Sequence, residues 1–96
     1  MEGRYNIVIE APRRNEPGTV IFMVKGNMLR GTVTAMGITS RFSDGKIDGD
    51  EFEFSGEVKL LMKKTPYVVR GRVDGDVLTA VAYSKFGTFD VKGTKY

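Results

Sequence analysis

The feature that most constrains this chain is a repeated turn signal. Asp44-Gly45-Lys46-Ile47-Asp48-Gly49-Asp50-Glu51-Phe52-Glu53-Phe54 is echoed, more loosely, by Gly71-Arg72-Val73-Asp74-Gly75-Asp76-Val77-Leu78. Each copy sets Asp-Gly between a β-branched residue and an alternating stretch. Asp-Gly is a strong hairpin signal, because a type I′ turn needs φ > 0 at both central positions. The spacing predicts such turns centred on Asp48-Gly49 and Asp74-Gly75. After the first, Phe52, Phe54, Val58, Leu60 and Met62 share one face, and Glu51, Glu53, Ser55, Glu57 and Lys59 share the other. That period of two marks a half-buried strand.

The rest of the chain repeats the theme. Gly3 to Glu10 alternates, with Tyr5, Ile7 and Ile9 on one face. Ala11 to Pro17 reads as a polar loop bounded by prolines. Thr19 to Lys25 is a strand, Gly26-Asn27 a tight turn, Met28 to Ala35 a strand, Met36-Gly37 a turn, and Ile38 to Phe42 continues the inner face. The inner parity is even at Phe42 and odd at Ile47, so one residue must be absorbed between them. A bulge at Asp44-Gly45, with the glycine in the left-handed region, does this. Lys63-Lys64-Thr65-Pro66 is expected to end the next strand. Tyr67 to Val73, Val77 to Ser84 and Thr88 to Thr94 follow, with a turn near Lys85-Phe86-Gly87. No segment sustains a period of 3.6, so little or no helix is expected.

Eight short-linked strands make an up-and-down antiparallel meander. Eight is the number at which a meander closes into a small all-β barrel without free edges. A two-layer β-sandwich is the alternative. The 96 residues form a single domain, residues 1–96. Gly-Asn-x-Leu-x-Gly-Thr-Val (Gly26 to Val33), the Asp44–Phe54 stretch and Gly-x-Val-Asp-Gly-Asp-x-Leu (Gly71 to Leu78) together resemble a bacterial, lipocalin-like β-meander domain. The resemblance implies the fold and brings no catalytic residue with it.

Composition narrows the chemistry. There is no His and no Cys, which removes the usual general base, thiol chemistry and thiolate metal sites. No metal or cofactor is expected. Aligned as an EF-hand loop from Asp44, position 3 is Lys46 and position 12 is Ser55, so the oxygen cage fails. No apolar run reaches the ~18 residues of a membrane span. The chain shows no secretory signal after Met1 and has no disulfides, which fits a cytoplasmic protein. Five of the six Phe fall on the inner face, leaving no exposed stacking platform for nucleic acid.

Net charge is +3, and its placement is uneven. An up-and-down meander alternates its connections between two ends. One end receives the Gly26-Asn27, Asp48-Gly49 and Asp74-Gly75 turns and is acidic. The other receives Arg13, Arg14, Lys63, Lys64 and Lys85, opposed mainly by Glu16. Inside, Gly31, Ala35, Gly71, Ala80 and Ala82 interrupt a row of large apolar residues. They either complete a filled core or border a cavity open at the basic end, with Tyr67 at its mouth. Such a cavity suits an apolar molecule with an anionic head. Outside, Val8, Ile21 and Met23 form one apolar cluster and Val68, Val77, Val81 and Tyr83 a second, adjacent one, as a homo-oligomer or partner subunit would require. The expected function is non-catalytic binding of a small ligand or a protein partner, as an accessory subunit. A barrel isomerase, cyclase or lyase with an Arg/Tyr-lined mouth is the alternative.

Overall fold

The computed structural model describes residues 1–60 and 62–96, apart from the side chain of Leu60. The expected inward direction of Leu60 therefore lies outside the described residues. Eight strands follow one another: β1 (Gly3–Glu10), β2 (Asn15–Lys25), β3 (Met28–Ala35), β4 (Ile38–Asp48), β5 (Glu51–Leu60), β6 (Lys63–Asp74), β7 (Val77–Ser84) and β8 (Gly87–Lys95). Every strand pairs antiparallel with the next, and β1 pairs with β8, from Tyr5↔Lys95 to Glu10↔Asp90. The sheet closes into a barrel, not a sandwich. Alternation along each strand sends one row of side chains inward, and the row Phe52, Phe54, Val69, Val73, Leu78, Ala80 and Val91 is buried there.

The turns differ from the expected type by one residue. Asp48 pairs with Glu51, and Asp74 pairs with Val77, so the two-residue loops are Gly49-Asp50 and Gly75-Asp76. Gly26, Gly49 and Gly75 have φ of 60°, 63° and 63°, whereas Asn27, Asp50 and Asp76 have negative φ. Glycine at the first central position alone is the type II′ pattern, which also matches the twist of the flanking strands. The Met36-Gly37 loop has positive φ at both positions, 54° and 73°.

Three boundaries also move. β2 begins at Asn15, and Pro17 pairs with Val8 inside the strand; β6 begins at Lys63, and Pro66 pairs with Glu57. The pairing of β2 with β3 starts only at Gly18, and that of β6 with β7 only at Tyr67. Each proline therefore sits where its strand has one neighbour and an open edge, which is where a residue without an N–H is tolerated. Met62, expected on the inner face, is 87% exposed with φ 65°. It belongs to the turn between β5 and β6.

The expected register shift is present. Gly31 pairs with Phe42 but Leu29 pairs with Gly45, so β4 carries one extra residue there. Gly45 is buried and its φ is not positive. A Cβ on it would lie 2.9 Å from the Leu29 Cβ and 3.1 Å from the Phe54 Cβ. Glycine is needed there for space and not for a left-handed backbone. Among the described residues β4 and β5 pair through three positions, Lys46↔Glu53 to Asp48↔Glu51, whereas β5 and β6 pair through ten.

Candidate ligand cavity and its rim

The barrel is filled at the tight-turn end. The Phe22 ring lies 5.1 Å from Phe52, 5.5 Å from Tyr5, 6.0 Å from Phe54 and 6.1 Å from Phe42. Phe42 and Phe54 stack at 3.8 Å with 15° between their planes. Two of the small residues belong to this plug. A Cβ on Gly31 would strike the Ile21 carbonyl and sit 3.2 Å from the Phe42 ring, and one on Gly71 would strike Ala80. These glycines let neighbours close up, and neither borders the cavity at the other end of the barrel. The Tyr5 hydroxyl donates to the Met1 carbonyl at 2.9 Å. Burial first, and then the Asp76 carboxylate, raise the Tyr5 phenol above its ordinary pKa.

The long-loop half is hollow. A cavity of about 350 Å³ opens there, near the lower end of the ~300–1,000 Å³ typical of small-molecule sites. Its walls are inward-facing apolar side chains: Ile9, Val33, Ile38, Val58 and Phe89, with Ala35 and Ala82 supplying width. Met36 and Phe86 reach in from the turns. Met36 holds φ 54°, a strain of roughly 1–3 kcal/mol for a residue with a Cβ, and so keeps an apolar side chain at the opening. The polar wall groups are Glu16, Thr65, Tyr67 and Ser84.

Tyr67 braces the wall between the two halves. Its ring stands edge-on to Phe54 at 6.4 Å. Its register partner on β5 is Gly56, which leaves the inward space that the phenol fills; a Cβ there would lie 2.6 Å from the Tyr67 hydroxyl. The hydroxyl continues to Ser40 Oγ on β4 at 2.8 Å, and Ser40 Oγ donates to the Glu57 carbonyl at 3.0 Å. Side chains thus tie β4 to β5 and β6 where the β4–β5 backbone pairing has ended. Burial raises the Tyr67 pKa, against a smaller lowering by Ser40. In this contact the phenol serves as a hydrogen-bonding group.

Of the residues expected at the mouth, Tyr67 is on the cavity wall. Arg13, Arg14, Lys63, Lys64 and Lys85 are exposed around the rim, and none of them lines the cavity. Arg14 Nε lies 2.6 Å from Glu16 Oε1, whose side chain is 17% exposed. Lys85 Nζ sits 5.4 Å over the Phe86 ring. Glu16, Met36, Thr65, Ser84 and Phe86 are wall residues that sequence reasoning missed. The Gly56 gap opposite Tyr67, between Phe54 and Val58 on the inner row, was the one signal available for the brace.

The outer apolar residues do not form one surface. Val68 pairs with Tyr83, and Arg70, between Val68 and Arg72, pairs with Val81 and lies 5.9 Å over the Tyr83 ring. Val77 is at the far, tight-turn end of β7. Ile21 and Met23 are on β2, and Val8 is beside Lys92 and Pro17. The two clusters are not adjacent, because β8 with its outward Thr88, Asp90, Lys92 and Thr94 runs between them. A shallow depression of about 520 Å³ on the outer wall is lined by Lys46, Glu51, Glu53, Arg70 and Arg72. Its charges alternate in sign, and Arg70 Nε reaches Glu53 at 3.3 Å. Among the described residues no three His, Cys, Asp or Glu gather as metal ligands, and no helix is long and apolar enough to cross a membrane.

No family model matches this sequence, and no curated protein sequence matches it. Among solved structures the barrel is similar to apo lipid binding protein 8 of Caenorhabditis elegans. The two share 10% sequence identity and a TM-score of 0.62, over 99% of this chain and 94% of that one. At that identity the likeness establishes a shared fold: an eight-stranded closed barrel.

Proposed function

We propose that this barrel is a non-catalytic carrier or binding module for a small amphiphile. The apolar part occupies the loop-end cavity, and an anionic head stays at the rim. The observation that carries this reading is the cavity itself. Half of the interior is packed solid with aromatic rings, while the other half is hollow, apolar-walled and open on the side where the cations gather. The similar barrel from Caenorhabditis elegans is described as a lipid-binding protein, which supports the same use of the interior here.

Affinity then comes from the tail, at roughly 0.8 kcal/mol per buried methylene. The rim charges orient the ligand and raise its encounter rate, each exposed contact adding only ~0.2–1 kcal/mol. The modest volume favours short or compact tails. The polar wall groups Thr65, Tyr67 and Ser84 can accept one hydrogen-bonding substituent on the chain.

The test replaces Arg13, Lys63, Lys64 and Lys85 by Gln and leaves the Arg14–Glu16 pair intact. Parent and variant are titrated with a medium-chain carboxylate and with the alcohol of the same chain length. The carboxylate should weaken severalfold in the variant and lose its salt dependence, while the alcohol should bind both proteins equally. A parent that binds neither compound overturns the proposal.

A further inference from the structure

Cations and apolar side chains interleave on one outer side of the barrel, away from the cavity and its rim. Strand register sets Arg4, Ile21, Thr32 and Arg41 in one row across β1 to β4, all facing outward. One step along the strands, Met23 pairs with Arg30. The next row is Lys25, Met28 and Lys46. Ile21, Met23 and Met28 are 38%, 43% and 49% exposed. Among the described residues Arg4, Arg30 and Arg41 form no ion pair. Arg4 lies 5.8 Å over the exposed Tyr96 ring. Acids flank the patch: Asp48 lies two residues beyond Lys46 on β4, and Glu53 of β5 is the register partner of Lys46. Glu2 accepts the Val24 N–H at 3.0 Å, and Asp44 sits in the bulge of β4.

The opposite side of the barrel is built differently. On β5 to β8 the outward residues Glu51, Glu53, Glu57 and Asp90 are interspersed with Lys59, Arg70, Arg72 and Lys92; Arg70 pairs with Glu53, and Lys92 pairs across the closing seam with Glu10 of β1. Two of those four cations are ion-paired, whereas among the described residues none of the cations named on the β1–β4 side is.

We propose that the β1–β4 side docks on an anionic phospholipid surface. Charge complementarity selects the partner: arginines without carboxylate partners match phosphate and carboxylate head groups, which Arg can hold in bidentate fashion. The apolar residues between them select a bilayer over other polyanions. Ile21, Met23 and Met28 occupy the central strands β2 and β3, so they enter the head-group boundary first. Arg4 and Arg41 flank them on long stems and reach back to the phosphates. Nucleic acid would call for a run of exposed aromatic side chains among these cations; among the described residues Tyr96, under Arg4 at the edge of the patch, is the one exposed ring beside them, and Ile and Met lie between the arginines. The docking does not depend on the cavity being filled.

The test is co-sedimentation of the full chain with vesicles of phosphatidylcholine mixed with phosphatidylserine, against phosphatidylcholine alone, at low and moderate salt. The parent should bind the anionic vesicles and not the neutral ones. Each basic residue near such a surface contributes about fivefold to partitioning, so R4Q/R30Q/R41Q should bind at least tenfold more weakly. A charge-matched control, K59Q/R72Q/K92Q, removes three cations from the other side and should bind within about twofold of the parent. Ile21→Ser with Met23→Ser should lower binding at moderate salt, where the apolar part dominates. Circular dichroism checks that each variant is folded. Equal loss in the two triple variants, vesicle binding absent in the parent, or binding of a single-stranded oligonucleotide in place of vesicles would each overturn the proposal.

Discussion

The Tyr67 hydroxyl lies 2.8 Å from Ser40 Oγ, and the phenol passes over Gly56 to reach it. This contact joins β6 to β4 across β5, at the level where aromatic packing gives way to cavity. Tyr67→Phe removes one buried hydrogen bond while Ser40 keeps the Glu57 carbonyl. The expected loss is about 1 kcal/mol, or a fall in Tm of roughly 4–8 °C for a domain of this size. An unchanged thermal midpoint would show that the brace contributes nothing.

The same residue gives an alkaline signature. Burial holds the Tyr67 phenol above its ordinary pKa of 10.0 in the folded state, and Tyr5 shifts in the same direction. Once the pH exceeds about 10, the unfolded chain has released protons that the folded chain still holds, so stability falls as pH rises through that window. Below it the contribution is fully present and independent of pH. Urea midpoints measured on either side of pH 10 should drop above it, and less steeply in Tyr67→Phe than in the parent.

Gly56→Ala tests the space beneath Tyr67. The new methyl would lie 2.6 Å from the hydroxyl and 2.8 Å from Cζ, so the ring must swing toward the cavity. Overpacking of this kind costs roughly 1–3 kcal/mol. Chemical denaturation should show that loss, and it should be smaller in the Tyr67→Ala background, where the clash is absent.

Gly49 and Gly75 have no heavy atom within 4 Å of a would-be Cβ, and both hold φ 63°. Substitution by Val therefore meets open space, and its cost is backbone strain, roughly 1–3 kcal/mol each. Shifted urea midpoints for both variants are expected. Unshifted midpoints would mean that these loops do not hold positive φ in solution.

The strands and their closure were legible because period-two alternation and Gly-containing turns are local signals. Asp48-Gly49 shows where that legibility stops. The dipeptide marks a turn, but whether the loop is Asp-Gly or Gly-Asp depends on which residues pair across it, and Asp48↔Glu51 is a register fact. Gly45 was legible as a bulge but not in its reason, since its constraint is the Leu29 carbonyl and the Leu29 and Phe54 side chains packed over it. The basic rim followed from topology plus charge. The cavity did not, because Gly31 and Ala82 read alike in a sequence: one is closed by Ile21 and Phe42, and the other faces empty space. Glu16 was named only as a compensating charge, and its place on the cavity wall requires β2 to begin at Asn15.

The most direct measurement fills the cavity from within. Ala82 faces it between Val69 and Phe89 in register, and about 350 Å³ is available to receive a larger side chain. Ala82→Phe should fold with a thermal midpoint equal to or above that of the parent, since added apolar surface enters a preformed void. Calorimetric titration of parent and variant with a medium-chain carboxylate should then show binding to the parent and at least a tenfold loss in Ala82→Phe. Equal affinity in the two proteins would place the ligand outside the barrel and contradict the central claim.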